Sequence, residues 1–106
     1  MATSKLYLYK IQPVRPAMLI ENTPEEAAIV GRHFAYLKDL TDKGVVLMAG
    51  RTLNMDYSSF GIIIFRAEDD AAAQAIVNND PAVVERVMRA EWYPYRVALM
   101  VDDWPT

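Results

Sequence analysis

No cysteine occurs among the 106 residues, which excludes a disulfide framework, a cysteine-ligated zinc or iron-sulfur centre and a thiol nucleophile. Histidine is scarce as well: His33 stands alone, and scattered carboxylates around one imidazole make no metal-ligand cluster. The four glycines, Gly31, Gly44, Gly50 and Gly61, are widely spaced, so no glycine-rich loop is available to cradle a phosphate. Positive charge is not in excess. The 11 Lys and Arg face 14 Asp and Glu, a net charge of -3, which is the reverse of the balance a nucleic-acid platform needs. No run approaches the roughly 18 consecutive apolar residues of a membrane span. The amino-terminal stretch is broken by Lys5 and Lys10 and lacks the apolar core of a secretory leader, so a cytoplasmic location is expected.

What the chain does have is apolar content, 53% of its residues. At this size folding removes roughly 65% of the unfolded chain's surface from water, enough for one domain over residues 1–106 without disulfide or metal. Lys5 to Ile11 alternates, with Leu6 and Leu8 on one side and Tyr7, Tyr9 and Ile11 on the other, and predicts a strand. Pro13 and Pro16 then make residues 13–22 a loop. Thr23-Pro24-Glu25-Glu26 reads as a helix start, with Thr23 as N-cap, Pro24 in the first helical position and Glu26 closing a capping box. Lys43-Gly44 reads as its end. Val45 to Ala49 and Phe60 to Phe65 are expected strands, Ala67 to Val77 a helix and Pro81 to Met88 a further short helical stretch. Trp92 to Val101 is expected to be the last strand, with Pro94 near its start.

That order, βαββαβ, predicts an α+β, ferredoxin-like fold: a four-stranded antiparallel sheet with two main helices on one face. The strands are too apolar for a sheet with a wet second face. Ile62, Ile63, Ile64 and Phe65 are apolar on both sides, and Trp92 to Val101 nearly so. Soluble monomers rarely keep such a patch in water, so a twofold homodimer with the open sheet faces together is expected.

His33 lies at i+4 and i+3 from Ile29 and Val30 and at i-4 and i-7 from Leu37 and Leu40, in the middle of the stripe that must face the sheet. A buried histidine satisfied by a backbone carbonyl or by Tyr36 is one reading. The other is a general acid-base, with an unperturbed pKa near 6.5 suited to neutral pH. Asp80 precedes Pro81, which makes it a good N-cap for the stretch that follows and also a candidate orienting partner for His33. Arg51 follows Ala49-Gly50 and is a candidate for holding an anionic substrate. Tyr36 is a second candidate for substrate contact.

The segment from His33 to Leu40, followed by Lys43-Gly44, Ala49-Gly50, the Phe60 to Phe65 strand, an Ala-rich helix and Asn79-Asp80-Pro81, resembles the YciI-like (YCII-related) family over roughly residues 5–100. The resemblance implies a dimeric α/β barrel and a His/Asp pair in a cleft beside the sheet, which falls by motif on His33 and Asp80. One family member is a dehydrochlorinase of a chlorinated hydroxyhydroquinone. Arg51 stands where proline is frequent in the family, and the segment before the first helix is longer, so the substrate does not carry over. The expected function is thus a cofactor-free lyase or isomerase acting on a small molecule. The alternatives are a non-catalytic ligand-binding or interaction module, or a barrel monooxygenase, cofactor-free or with His33 on a haem. A purely structural pair should lose about 1–3 kcal/mol when one member is replaced, and a catalytic pair in an open cleft should lose little.

Overall fold

Alternation decides which side of the first strand is covered. In the computed structural model, which describes residues 5–103, β1 (Lys5–Pro13) buries Tyr7, Tyr9, Ile11 and Pro13 and leaves Leu6, Leu8, Lys10 and Gln12 half-buried on the opposite face. The stretch weighed above as a leader begins at Met1, and its first four residues lie outside the described range. Pro13 belongs to the strand rather than to the loop expected to start there. The β3 ladder on that side has already ended at Ile11, so the missing N–H breaks no bond to it. Inside the expected loop, Pro16–Leu19 forms one 3-10 turn.

The first helix, α1 (Pro24–Asp42), starts as its sequence requires: Thr23 Oγ1 accepts from the Glu26 N–H at 3.0 Å and Glu26 Oε1 accepts from the Thr23 N–H at 2.9 Å. It ends at Gly44, whose φ of 76° is the left-handed turn glycine allows without strain. β2 (Val46–Arg51) and β3 (Gly61–Ala67) pair antiparallel, with a register shift between Val46 and Met48 that leaves Leu47 bulged outward. α2 (Asp70–Asn78) is capped by Asp69, whose carboxylate accepts from the Ala72 N–H at 2.8 Å.

The region after α2 departs most from expectation. The third helix, α3, spans only Pro81–Val84, and Met88 opens the last strand, β4 (Met88–Tyr95), instead of closing a helix. Arg86 adopts a φ of 59°, which stops the helix. Met88, Ala90 and Trp92 then alternate, half-buried, with exposed Arg89, Glu91 and Tyr93. The strand also stops early. The Leu6 to Tyr95 pair is the last between β1 and β4 among the described residues, and residues 96–101 form no strand.

The sheet order is β2-β3-β1-β4, all antiparallel, and the fold is the expected ferredoxin-like α+β arrangement. Tyr7, Tyr9, Ile63 and Phe65 from the two central strands meet Leu37 of α1 and Ala73 and Val77 of α2 in one core. Phe65 stacks on Tyr7 at 5.7 Å and takes Tyr9 edge-on at 5.6 Å. A ring buried this completely stabilises the fold by about 1.5–3 kcal/mol.

Candidate functional site

The core face of β1 brings two tyrosine hydroxyls under the helices, and buried hydroxyls require partners. Tyr7 donates to Asp70 Oδ1 at 2.8 Å and Tyr9 to Asp80 Oδ2 at 2.8 Å. Asp80 reaches its partner because Pro81 forces extended backbone on the residue before it. With φ -64° and ψ 123°, Asp80 caps α3 and its Oδ1 accepts from the Ala82 N–H at 2.9 Å. The carboxylate is wholly buried.

The helical stripe delivers His33 to the same carboxylate. Ile29, His33 and Leu37 are the buried residues of α1, and His33 Nδ1 lies 2.7 Å from Asp80 Oδ1 and 2.8 Å from Oδ2. Asp80 thus accepts from an imidazole, a phenol and a backbone amide, the pattern of an ionised, acceptor-only carboxylate. With Nδ1 donating to it, the neutral ring carries its lone pair on Nε2. Nε2 has no protein partner among the described residues, and no buried polar side-chain atom there is left unsatisfied. His33, 7% exposed, lines a cleft of about 590 Å³, and Nε2 is the ring nitrogen that Asp80 leaves free.

The cleft lies between α1 and the ends of β1, β2 and β3. Phe34, Leu37 and Thr41 face Ala49, Phe60 and Ile63 across it, and Leu19 of the 3-10 turn closes one side. Gly61 belongs to this wall, and a Cβ there would stand 3.1 Å from the Gly50 carbonyl oxygen and from Ile11 Cγ1. The loop carrying Leu19 is fastened by Arg15, which donates to both Glu26 carboxylate oxygens and to the Glu21 carbonyl. The Arg15 guanidinium, together with the Thr23 N–H, holds the Glu26 carboxyl down to about 2.

Of the four residues singled out in the sequence, three meet at the cleft or behind it. His33 and Arg51 line it, Arg51 at the end of β2 with only a 4.0 Å contact to Met55 Sδ and no carboxylate partner among the described residues. Asp80 stands behind His33. Tyr36 is placed elsewhere: its hydroxyl donates to the Ile76 carbonyl at 2.6 Å, and it does not line the cleft. Its donor serves the packing of α1 on α2, so substrate contact is not carried forward for it. Lys38, Thr41 and Ser59 also line the cleft and are not among those four. Thr41 was accessible to helix counting, since it lies two turns from His33 at i+8. Ser59, 3% exposed in a polar loop, gave no signal. Among the described residues no cluster of three or more His, Cys, Asp or Glu side chains is placed to hold a metal ion, and no helix is long and apolar enough to cross a membrane.

Three buried or half-buried phenols are expected to make the fold alkali-sensitive. Burial, then Asp70, pushes Tyr7 up to about 12, and burial, then the Asp80 charge, pushes Tyr36 up to about 12. Burial and Asp80 drive Tyr9 up further still. The unfolded chain releases these protons near the model-peptide value of 10.0 while the native chain keeps them. Stability contributed by the raised groups is therefore intact below pH 10 and drains away from there towards 12. Chemical denaturation across that range should show a falling midpoint. An unchanged midpoint would contradict the buried phenols.

A ferredoxin-like sheet with a buried carboxylate-imidazole pair opening onto a cleft defines the class. A family model for the YCII-related domain matches residues 7–92, and the chain belongs to that family. Among solved structures it is similar to 5-chloro-2-hydroxyhydroquinone dehydrochlorinase from Burkholderia phenoliruptrix AC1100, in complex with 2,5-dihydroxybenzoquinone, with a TM-score of 0.65 and 22% identity over 86% of this chain and 93% of that one. It is also similar to an uncharacterised protein from Thermotoga maritima, with a TM-score of 0.54 and 9% identity over 89% of this chain and 100% of that one. A cofactor-independent oxygenase from Streptomyces nogalater gives 0.50 and 12% identity over 96% and 100%. No curated protein sequence matches the chain.

Proposed function

We propose that this protein is a small-molecule lyase or isomerase in which His33 moves a proton within the cleft and Asp80 holds the ring. The observation that carries this reading is that the imidazole lining the cleft has Nδ1 tied to a buried carboxylate, which leaves Nε2 as its free nitrogen. Nε2 takes a proton from an acidic O–H or from a C–H beside a carbonyl. The electron pair left behind either expels a leaving group or shifts a double bond, and the proton is returned to product or solvent. The step is redox-neutral and draws on no cofactor. Arg51 at the rim holds an anionic group, and the apolar walls take the body of the substrate. The structurally similar dehydrochlorinase, complexed with a hydroxylated quinone, makes a flat hydroxylated ring the first probe. Adding 2,5-dihydroxybenzoquinone while following the single imidazole by NMR should shift its resonances saturably. An imidazole indifferent to this probe and to other small hydroxylated ring acids would overturn the reading.

The same proposal includes a homodimer through the open sheet face. Among the described residues no helix packs on that face. It presents Leu8, Ile62 and Ile64, half-buried, with Tyr93 48% and Tyr95 42% exposed beside them. Light scattering should give twice the 12.0 kDa chain mass, and Ile64→Arg should halve it. A native mass of one chain would overturn the dimer.

A further inference from the structure

Tyr7 and Tyr9 occupy equivalent positions two residues apart on β1, and each sends its hydroxyl to a carboxylate near the start of a helix, Asp70 on α2 and Asp80 before α3. Only Asp80 also holds an imidazole. Tyr9 is 0% exposed, its ring is fixed edge-on against Phe65, and its O–H has Asp80 Oδ2 as its partner. We propose that Tyr9 is a positioning residue for the His33–Asp80 pair: its hydroxyl fixes the rotation of the carboxylate and draws charge away from it, so that His33 can release the proton it takes. This rests on the acid-base reading of His33 given above and adds to it the group that sets its strength.

The physical case is one of competing donors. An imidazole lying 2.7 and 2.8 Å from the two oxygens of a buried carboxylate, with nothing else attached, would be held strongly as imidazolium. Such a ring accepts a proton readily and returns it slowly. Here Oδ2 also receives the Tyr9 O–H and Oδ1 the Ala82 N–H, and each bond disperses charge that would otherwise hold the imidazolium. The backbone amide is fixed by the cap, so the phenol is the adjustable donor. The remaining ionisable groups around the pair differ in kind. Tyr36 on α1 feels the Asp80 charge but donates to Ile76, and Lys38 and Arg51 stand in the cleft wall. None of these donates to the carboxylate.

The test needs no substrate, because the chain has one histidine and its imidazole resonances report the pair directly. In Tyr9→Phe the titration midpoint of the pair should rise by about half a unit to one unit relative to the native chain. Tyr7→Phe removes the hydroxyl of another 0% exposed tyrosine from a carboxylate that does not touch His33, and should leave that midpoint unmoved. Should Tyr9→Phe fail to fold, 3-fluorotyrosine at position 9 keeps ring and hydroxyl, strengthens the donor and should move the midpoint down. A midpoint unmoved or lowered in Tyr9→Phe, unmoved or raised by the fluorinated residue, or moved equally by Tyr7→Phe, would overturn the assignment. The outcome is independent of turnover. A null shift removes Tyr9 and leaves the acid-base reading standing, whereas full turnover in a His33 variant removes that reading whatever Tyr9 does.

Discussion

Replacing His33 by asparagine is expected to lower turnover by about 10²–10⁴-fold while the protein stays folded. The choice of asparagine follows from the environment of Asp80. With the carboxylate 0% exposed, any substitution that withdraws the His33 donor leaves a buried charge short of one hydrogen bond, and a loss of about 1–3 kcal/mol follows whether the pair is catalytic or structural. Stability alone therefore does not discriminate between the two roles, contrary to what a pair in an open cleft would allow. The asparagine amide can still donate towards Asp80 in place of Nδ1, but it offers the cleft no titratable nitrogen. Melting temperature close to the native value with turnover lost is the expected combination. His33→Ala should lose the same turnover and melt earlier. Native turnover in His33→Asn would end the acid-base reading.

Much of this arrangement is legible locally and little of it globally. The capping box at Thr23 and Glu26, the turn at Gly44, and the alternation that buries Tyr7, Tyr9 and Ile11 are decided within a few residues by sterics and hydrogen bonding, so the sequence reveals them directly. His33 in the apolar stripe and Asp80 before Pro81 are legible in the same way, each as a single residue on its own element. Their meeting is not, because 47 residues separate them and the contact depends on how α3 packs on α1. Outside the family resemblance, no spacing points to it. Tyr9 illustrates the same limit. Its burial follows from alternation, which implies a partner for its hydroxyl, but any buried acceptor would serve and the choice of Asp80 is tertiary. The placement of Tyr36 is hidden for the converse reason. An aromatic three residues from His33 shares its face of the helix, yet its hydroxyl reaches past the cleft to α2. The last strand lies earlier than the sequence suggests, because the apolar run at residues 97–101 is a stronger local signal than the half-buried alternation of Met88, Ala90 and Trp92. A strand needs a neighbour, and among the described residues the pairing of β4 with β1 ends at Leu6 and Tyr95.

Asp80→Asn is expected to do as much damage as removing the imidazole, by changing which nitrogen carries the proton. Three donors converge on the carboxylate: the Ala82 N–H on Oδ1, the Tyr9 O–H on Oδ2 and His33 Nδ1 between the two. A carboxamide has one acceptor oxygen and one donor nitrogen. The amide of Ala82 cannot reverse its role, so the Asn oxygen stays at the Oδ1 position and the NH₂ takes the place of Oδ2. There it faces the phenol, which can rotate and accept, and stands 2.8 Å from Nδ1; the oxygen is still 2.7 Å from Nδ1, but the two N–H groups collide unless Nδ1 gives up its proton and accepts. The ring then moves to the Nε2–H tautomer, and the lone pair that should face the cleft is lost. The counter-charge disappears with it, so the imidazole titration midpoint should fall below that of the native chain instead of rising as it does in Tyr9→Phe. Loss of the correct tautomer at a histidine base lowers turnover by about 10⁴-fold in the best-studied triads, and a decrease of about 10³–10⁴-fold is expected here. Imidazole ¹⁵N shifts distinguish the tautomers directly. An Asp80→Asn protein that retained the Nδ1–H tautomer and native turnover would mean that Asp80 serves α3 as a cap and His33 not at all.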